Sequence, residues 1–450
     1  MFQLHKVIKV TFSRLILKKY PAIISIMVNN NIVKSTAIIF LITLMSASAN
    51  ADSLGSTEIS YSTGKRSQTD GLEDRDLSGD YSFYKYGITV KAKPLEDFYY
   101  RVGFKDYHKK FDPSNNKLNN RTNTYNAYFS MPIKKTGDAS LKFNIDYGLR
   151  TKRYKNSPNS EYDNNRLSTG LDMKLNKDYS LGVSAGVNDY NYLKQPSSDQ
   201  VKSFLKINPG AKFLDGKLDV SGYYKRDWVD NSGNKKDYSE DSVSVRTSLK
   251  LDTPLIYKIG GHFGYGRNDT RDDDEDREDD LRFEYIVWDI NTNHKINNII
   301  DTQMVYGQGH RDYFTSLNSY DNWFLKNKTK VELIKKDPFN MDLLLGYEHR
   351  ESKFPENDPL SYNKNALRGG FSFSERGKWS IKPGFQFTHY KYPPLSLKNE
   401  NQYKANIACK KYIGSTDNAL EFDYWYKWKD YEYKPTIEQW ALNVSYSIKF

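Results

Sequence analysis

From about residue 56 to the end of the chain, apolar and polar residues take alternate places. Ala127, Phe129, Met131 and Ile133 alternate with Asn126, Tyr128 and Ser130. Leu141, Phe143, Ile145, Tyr147 and Leu149 interleave with Lys142, Asn144, Asp146, Gly148 and Arg150, and Leu167–Leu175 repeats the pattern. A period of two sends successive side chains to opposite faces of an extended strand. No comparable stretch carries helical periodicity, so the chain must fold as sheet, with one apolar face and one polar face. Composition agrees. Aromatics make up 15% of the 450 residues, with 36 Tyr and 23 Phe, yet only 38% of residues are hydrophobic. A bundle of membrane helices is excluded, because each span needs about 20 consecutive apolar residues. Disorder is excluded as well, since disordered chains are poor in aromatics. The single cysteine removes disulfide frameworks, multi-cysteine zinc sites and iron–sulfur clusters.

The connections alternate too. Short ones fall at Lys93–Asp97, Lys134–Ala139, Asn176–Asp178, Leu214–Gly216, Lys335–Pro338 and Ser374–Gly377. Longer polar ones cover 109–121, 153–165, 193–200, 229–240, 268–280, 310–320, 352–363 and 391–402. Tight turns at one end and long loops at the other describe an up-and-down transmembrane barrel. The expected fold is therefore an all-β, antiparallel, closed transmembrane barrel. The spacing gives about 20 strands of roughly 11 residues, with 18 or 22 also compatible. The thirteenth strand is expected to start near His294.

The one long apolar run, Thr36–Met45, is too short to span and suits the core of a secretory signal peptide. Lys34 precedes it, and Ala49-Asn50-Ala51 supplies a small-x-small cleavage site. Residues 1–51 are thus expected to be removed, with Met27 a second candidate start, leaving a single domain over 52–450. The leader holds six bases (Lys6, Lys9, Arg14, Lys18, Lys19, Lys34) and no acid, so the net charge of +11 falls to +5 on cleavage. That modest balance, without a dense basic block or a recognition motif, argues against nucleic acid as a partner.

The last strand is the clearest. Trp440, Leu442, Val444, Tyr446, Ile448 and Phe450 occupy every second place, and the chain ends on Phe450. In this respect the chain resembles the outer-membrane β-barrels of Gram-negative bacteria over the whole of 52–450, and its length and loops look most like large porins. The resemblance implies that these six residues form the assembly signal read by the barrel-insertion machinery. It also implies an outer-membrane location, with lipid and lipopolysaccharide around the wall.

If the apolar parity faces lipid, the other faces the lumen, and there Lys and Arg outnumber Asp and Glu. Expected pore-lining bases are Lys85, Arg101, Lys105, Lys142, Arg150, Arg166, Arg246, Lys250, Arg282, Arg350, Arg368, Lys382 and Lys427. Asp146, Asp172, Asp219, Glu284, Asp342, Glu348, Glu421 and Asp423 are expected to pair with some of them. Rings of Arg or Lys favour anions in a pore, whereas cross-strand pairing would make the same charges braces for the wall. Trp228, Trp323, Trp428, Trp440 and Trp379 fit interface girdles, and Tyr99, Tyr223 and Trp425 fall on the lumen parity. The acidic run in Asp269–Asp280 lacks the glycine and terminal glutamate of a calcium loop. The histidines show no metal-ligand spacing, and no motif joins a nucleophile to its base, so neither metal, cofactor nor enzymatic activity is expected. A plug domain followed by a 22-strand barrel would not fit in the mature length.

These readings converge on passive diffusion of small polar solutes, anionic or sugar-like, through a barrel without covalent chemistry. The rival is a sleeve or export port holding a periplasmic protein partner, such as a multihaem cytochrome or exopolysaccharide secretion machinery. The chain has no Cys-x-x-Cys-His haem site of its own. Because Phe450 closes the recognition strand, its deletion should slow insertion and leave protein in the periplasm. Cell fractionation that finds the usual amount of heat-modifiable barrel would contradict this.

Overall fold

The computed structural model describes residues 55–449 apart from 70–80, 96–97, 112–117, 156, 233–236, 254, 271–282, 298, 314–318, 356–359, 394–398, 414–417 and 432–435. The leader (1–51), Arg282, the acidic run 272–280, Phe450 and the side chain of Ile448 lie outside the described residues. Twenty strands form one sheet. They are β1 (Gly55–Thr69), β2 (Tyr81–Leu95), β3 (Phe98–Phe111), β4 (Asn120–Thr136), β5 (Ala139–Tyr154), β6 (Tyr162–Lys174), β7 (Tyr179–Tyr192), β8 (Gln200–Phe213), β9 (Leu218–Asn231) and β10 (Tyr238–Lys250). The second half continues with β11 (Ile256–Thr270), β12 (Phe283–Ile296), β13 (Ile300–Tyr313), β14 (Tyr320–Lys336), β15 (Phe339–Lys353), β16 (Tyr362–Glu375), β17 (Trp379–Lys391), β18 (Glu400–Ile413), β19 (Asn418–Tyr431) and β20 (Thr436–Lys449).

Each strand pairs antiparallel with its neighbours in sequence, and β1 closes on β20 from Ser56↔Lys449 to Thr69↔Thr436. Closure leaves no free edge, which removes the template for strand addition. The apolar parity faces outward and stays exposed. Ile59 is 49% exposed, Leu167 45%, Ile290 52% and Leu367 56%. Few large apolar side chains are buried, Val90 and Phe104 being the main cluster. Among the described residues no helix is long and apolar enough to cross a membrane, so any crossing is made by strands.

Strands run from 13 residues in β6 to 17 in β4, longer than the expected 11. The excess carries each strand past the apolar belt into polar rims. The thirteenth strand starts at Ile300, because His294 is still paired in β12 and Asn297 takes φ 51° in the turn that follows. Leu214 (φ 53°) and Asp215 (φ 54°) take the same region in the turn between β8 and β9, whereas between β4 and β5 the positive φ falls on glycine, Gly137 (φ 57°), where a side chain would strain the backbone.

The two halves repeat. Strands β4–β9 and β14–β19 keep the same register at a constant offset of 200 residues. The β-bulge between Pro132 and Lys134 recurs between Glu332 and Ile334. Thr136↔Ala139 matches Lys336↔Phe339, and Gln200↔Asn231 matches Glu400↔Tyr431. A one-residue slip would turn a whole strand inside out, so bulges retained at equivalent places fix both halves alike.

Orientation gives a labelling test in a Cys409→Ser background. A cysteine at Ser198, in a long connection, should react with an impermeant thiol reagent on intact cells, while one at Asp337, in a tight turn, should not. The reverse pattern would invert the barrel.

Candidate transport pathway

Residues paired across neighbouring strands share a face, so the register sorts every side chain. One polar row runs Ser62↔Lys85↔Tyr107↔Thr122↔Lys152↔Tyr162, and it rejoins β1 through Asp423↔Asn443↔Ser62. The face this row marks is the inner one. Two of its niches are basic and a third is balanced. One of about 560 Å³ is lined by Glu58, Lys85, Arg101, Lys105, Asp146 and Arg166 among others. Another, of about 590 Å³, includes Lys328, Lys330, Arg368, Lys382 and Lys404. A third of about 400 Å³ holds Asp219, Arg246, Lys258 and Asp289. A groove of about 440 Å³ around Ile286, Trp288, His310 and Trp323 opens on the outer face instead. Small residues keep parts of the wall flat. A Cβ on Gly186 would lie 2.6 Å from both the Phe204 ring and Ser168.

The register puts Lys85, Arg101, Lys105, Lys142, Arg150, Arg166, Arg246, Lys250, Arg350, Arg368, Lys382 and Lys427 on the inner parity. Asp146, Asp172, Asp219, Asp342, Glu348, Glu421 and Asp423 share it. Glu284 does not. It pairs with Arg267 and Asp312 on the outer parity, and the Arg267 Nε lies 3.7 Å from its carboxylate. The alternation misleads here because aromatic Phe283 and Tyr285 take the inner places while Ile286, Trp288 and Ile290 face out. Trp228, Trp323, Trp428, Trp440 and Trp379 fall on the outer parity, as do Leu442, Val444 and Tyr446.

Some inner charges are paired across strands. Arg166 reaches Asp146 at 2.8 Å, Lys202 reaches Asp227 at 3.4 Å and Lys410 reaches Glu421 at 2.7 Å. Glu348 is held by Lys364 at 2.9 Å and Arg368 at 3.2 Å. Others lie over rings, Arg101 on Tyr128 at 5.9 Å, Lys206 on Tyr223 at 4.7 Å and Lys404 on Trp425 at 5.3 Å. Such contacts hold a cation without neutralising it. Among the described residues no carboxylate pairs with Lys85, Arg101, Lys105, Arg150, Arg246, Lys382 or Lys427 at ion-pair distance. The wall therefore keeps a positive surplus.

Two inner features escape a motif search. Ser244 Oγ lies 3.0 Å from His262 Nε2, and His262 Nδ1 lies 3.3 Å from Asp289, linking β10, β11 and β12. This has the connectivity of a nucleophile relay, but Ser244 is 4% exposed, which leaves no approach for a substrate carbonyl. It braces the wall. The second feature is tyrosine at the loop-end mouth on the inner parity, legible only once strand ends and the 200-residue offset are known. Among the described residues no cluster of three or more His, Cys, Asp or Glu could hold a metal.

No family model matches the sequence, and no curated protein matches it. Solved structures do. A BenF-like porin from Pseudomonas fluorescens Pf-5 superposes with TM-score 0.51 at 8% identity, covering 89% of this chain and 100% of that one. Pseudomonas aeruginosa OpdO gives TM-score 0.50 at 11% identity over 89% of this chain and 98% of its own. The chain has the porin-type barrel fold. At such identities the likeness is one of fold, and the inner charges are this chain's own.

Removing the Glu348 carboxylate leaves two cations facing each other. Glu348→Ala should lower the unfolding free energy of the inserted barrel by about 1–3 kcal/mol. Combined with Lys364→Ala the loss should be less than additive in urea titration. Strict additivity would show that the pair does not interact.

Proposed function

We propose that this porin-type barrel sits in the bacterial outer membrane, after removal of residues 1–51, and passes small polar solutes by passive diffusion with a preference for anions. The observation that carries this reading is the pairing of faces: an exposed apolar outer parity around a closed wall whose inner parity holds unpaired bases. Barrels of 16–18 strands already leave an aqueous channel, so one of twenty has room. In a water-filled lumen bounded by lipid, fixed charge of one sign concentrates the opposite ion. The paired acids and bases stiffen the wall, and the unpaired Lys85, Arg101, Lys105, Arg150 and Arg246 set the sign of its field. Selectivity needs no cofactor and no covalent step.

The field is screened by salt, with a Debye length of about 10 Å at 0.1 M and about 3 Å at 1 M. Reversal potentials in planar bilayers should therefore show anion preference at 0.1 M that fades at 1 M. Neutral replacements of Arg101, Arg150 and Arg246 should diminish it at low salt. Cation preference at 0.1 M would overturn the anion reading, and no conductance at all would overturn the channel in favour of an occupied sleeve.

A further inference from the structure

The loop-end mouth carries two tyrosine triplets built alike. In the first, Tyr162 of β6 lies 5.8 Å from Tyr190 and 5.7 Å from Tyr192 of β7, with rings inclined at 52° and 48°. In the second, Tyr362 of β16 lies 5.9 Å from both Tyr390 and Tyr392, inclined at 54° and 47°. Each residue has its counterpart at the 200-residue offset. Ten strands separate the triplets, so in a twenty-strand barrel they occupy opposite walls.

Lipid anchoring does not explain them. Tyr162↔Lys152 and Tyr190↔Gln200 put the first triplet on the inner parity, and Tyr362↔Ser352 and Tyr390↔Glu400 do the same for the second. Core packing does not explain them either, because all six rings are only part-buried. Among the described residues none of the six hydroxyls makes a hydrogen bond. Rings occur elsewhere on the inner parity, as at Phe283 and Tyr285, but these two sets share one spacing and inclination at the 200-residue offset.

We propose that each triplet is a subsite for a pyranose ring of a saccharide at the channel mouth. A pyranose presents an axial C–H face and a rim of hydroxyls. The inclined tyrosines form a notch whose ring faces meet the C–H face, while their hydroxyls and the flanking polar groups meet the rim. Beside the first notch stands Gln200, bonded to Asn231 at 2.8 Å. Beside the second stands Glu400, 3.0 Å from Lys429. Amide, carboxylate and ammonium groups supply the donors and acceptors that sugar hydroxyls need. Strand spacing and tilt put opposite walls about 40 Å apart, beyond the reach of one short saccharide. The notches therefore fill independently, two per chain.

This inference rests on the mouth being open to solvent, as the channel reading requires, but it is tested separately. Isothermal titration of the folded barrel with maltotetraose, and with tetragalacturonate as the acidic counterpart, should give two equivalents per chain. Tyr190→Ala with Tyr192→Ala should leave one equivalent, as should Tyr390→Ala with Tyr392→Ala, and the fourfold variant should bind none. Phenylalanine at the same four places should retain both equivalents, with affinity reduced a few fold. Heat-modifiability and an unaltered β-sheet circular dichroism spectrum of the fourfold variant confirm that the barrel is intact. Absence of saturable binding by the wild type, or binding of either probe unchanged in the intact fourfold variant, would overturn the subsites while leaving the channel reading untouched. Loss of conductance in the wild type would instead overturn the channel.

Discussion

Backbone hydrogen bonding is the constraint on which the rest of this structure depends. Inside lipid no water is available for an unpaired N–H or C=O, so a sheet that crosses a membrane must close on itself. Here closure depends on the seam between the first and last strands, paired along their lengths from Ser56↔Lys449 to Thr69↔Thr436. Everything else follows from that ring. The pleat sends alternate residues in and out, the outward set becomes an apolar belt, and the inward set can be polar without desolvation. A charge on the inner wall faces water, so Arg101 or Lys105 needs no carboxylate partner to be tolerated there.

The inner face divides its charges between two roles. Cross-strand groups such as Arg166–Asp146 and Lys364–Glu348–Arg368 tie neighbouring strands. Bases without a carboxylate, some lying over Tyr128, Tyr223 and Trp425, leave the field positive. At the loop end, rings join the charges, as where Arg311 lies 4.5 Å over Phe283. The two tyrosine triplets belong to strands, β6–β7 and β16–β17, that keep one register at the 200-residue offset.

Fold class was legible because alternation is a local signal that tertiary contacts do not override. The strand count could be read from alternating turns, and tight turns such as Leu214–Gly216 announced themselves by residue type. Boundaries were harder where polar strands run past the apolar belt. The turn after β12 carries Asn297 but neither Gly nor Pro, a weak signal beside the polar strand that precedes it, and β13 begins at Ile300, six residues beyond the His294 that the spacing suggests. Glu284 faces outward against the simple alternation because its neighbours Phe283 and Tyr285, though aromatic, take the inner places. The tyrosine triplets were invisible for a related reason. Aromatics at strand ends suggest a lipid girdle, and only the pairing Tyr162↔Lys152, with Tyr190↔Gln200, turns them inward.

The central claim is that one parity of each strand faces water and the other lipid. It is tested most directly by single cysteines along β5 in a Cys409→Ser background, each challenged with a small impermeant thiol reagent in the membrane. Asn144, Asp146 and Gly148, on the inner parity, should react rapidly as cysteines, whereas Phe143, Ile145 and Tyr147 should stay unmodified. Equal reaction on both parities, or reaction confined to the apolar one, would contradict the account.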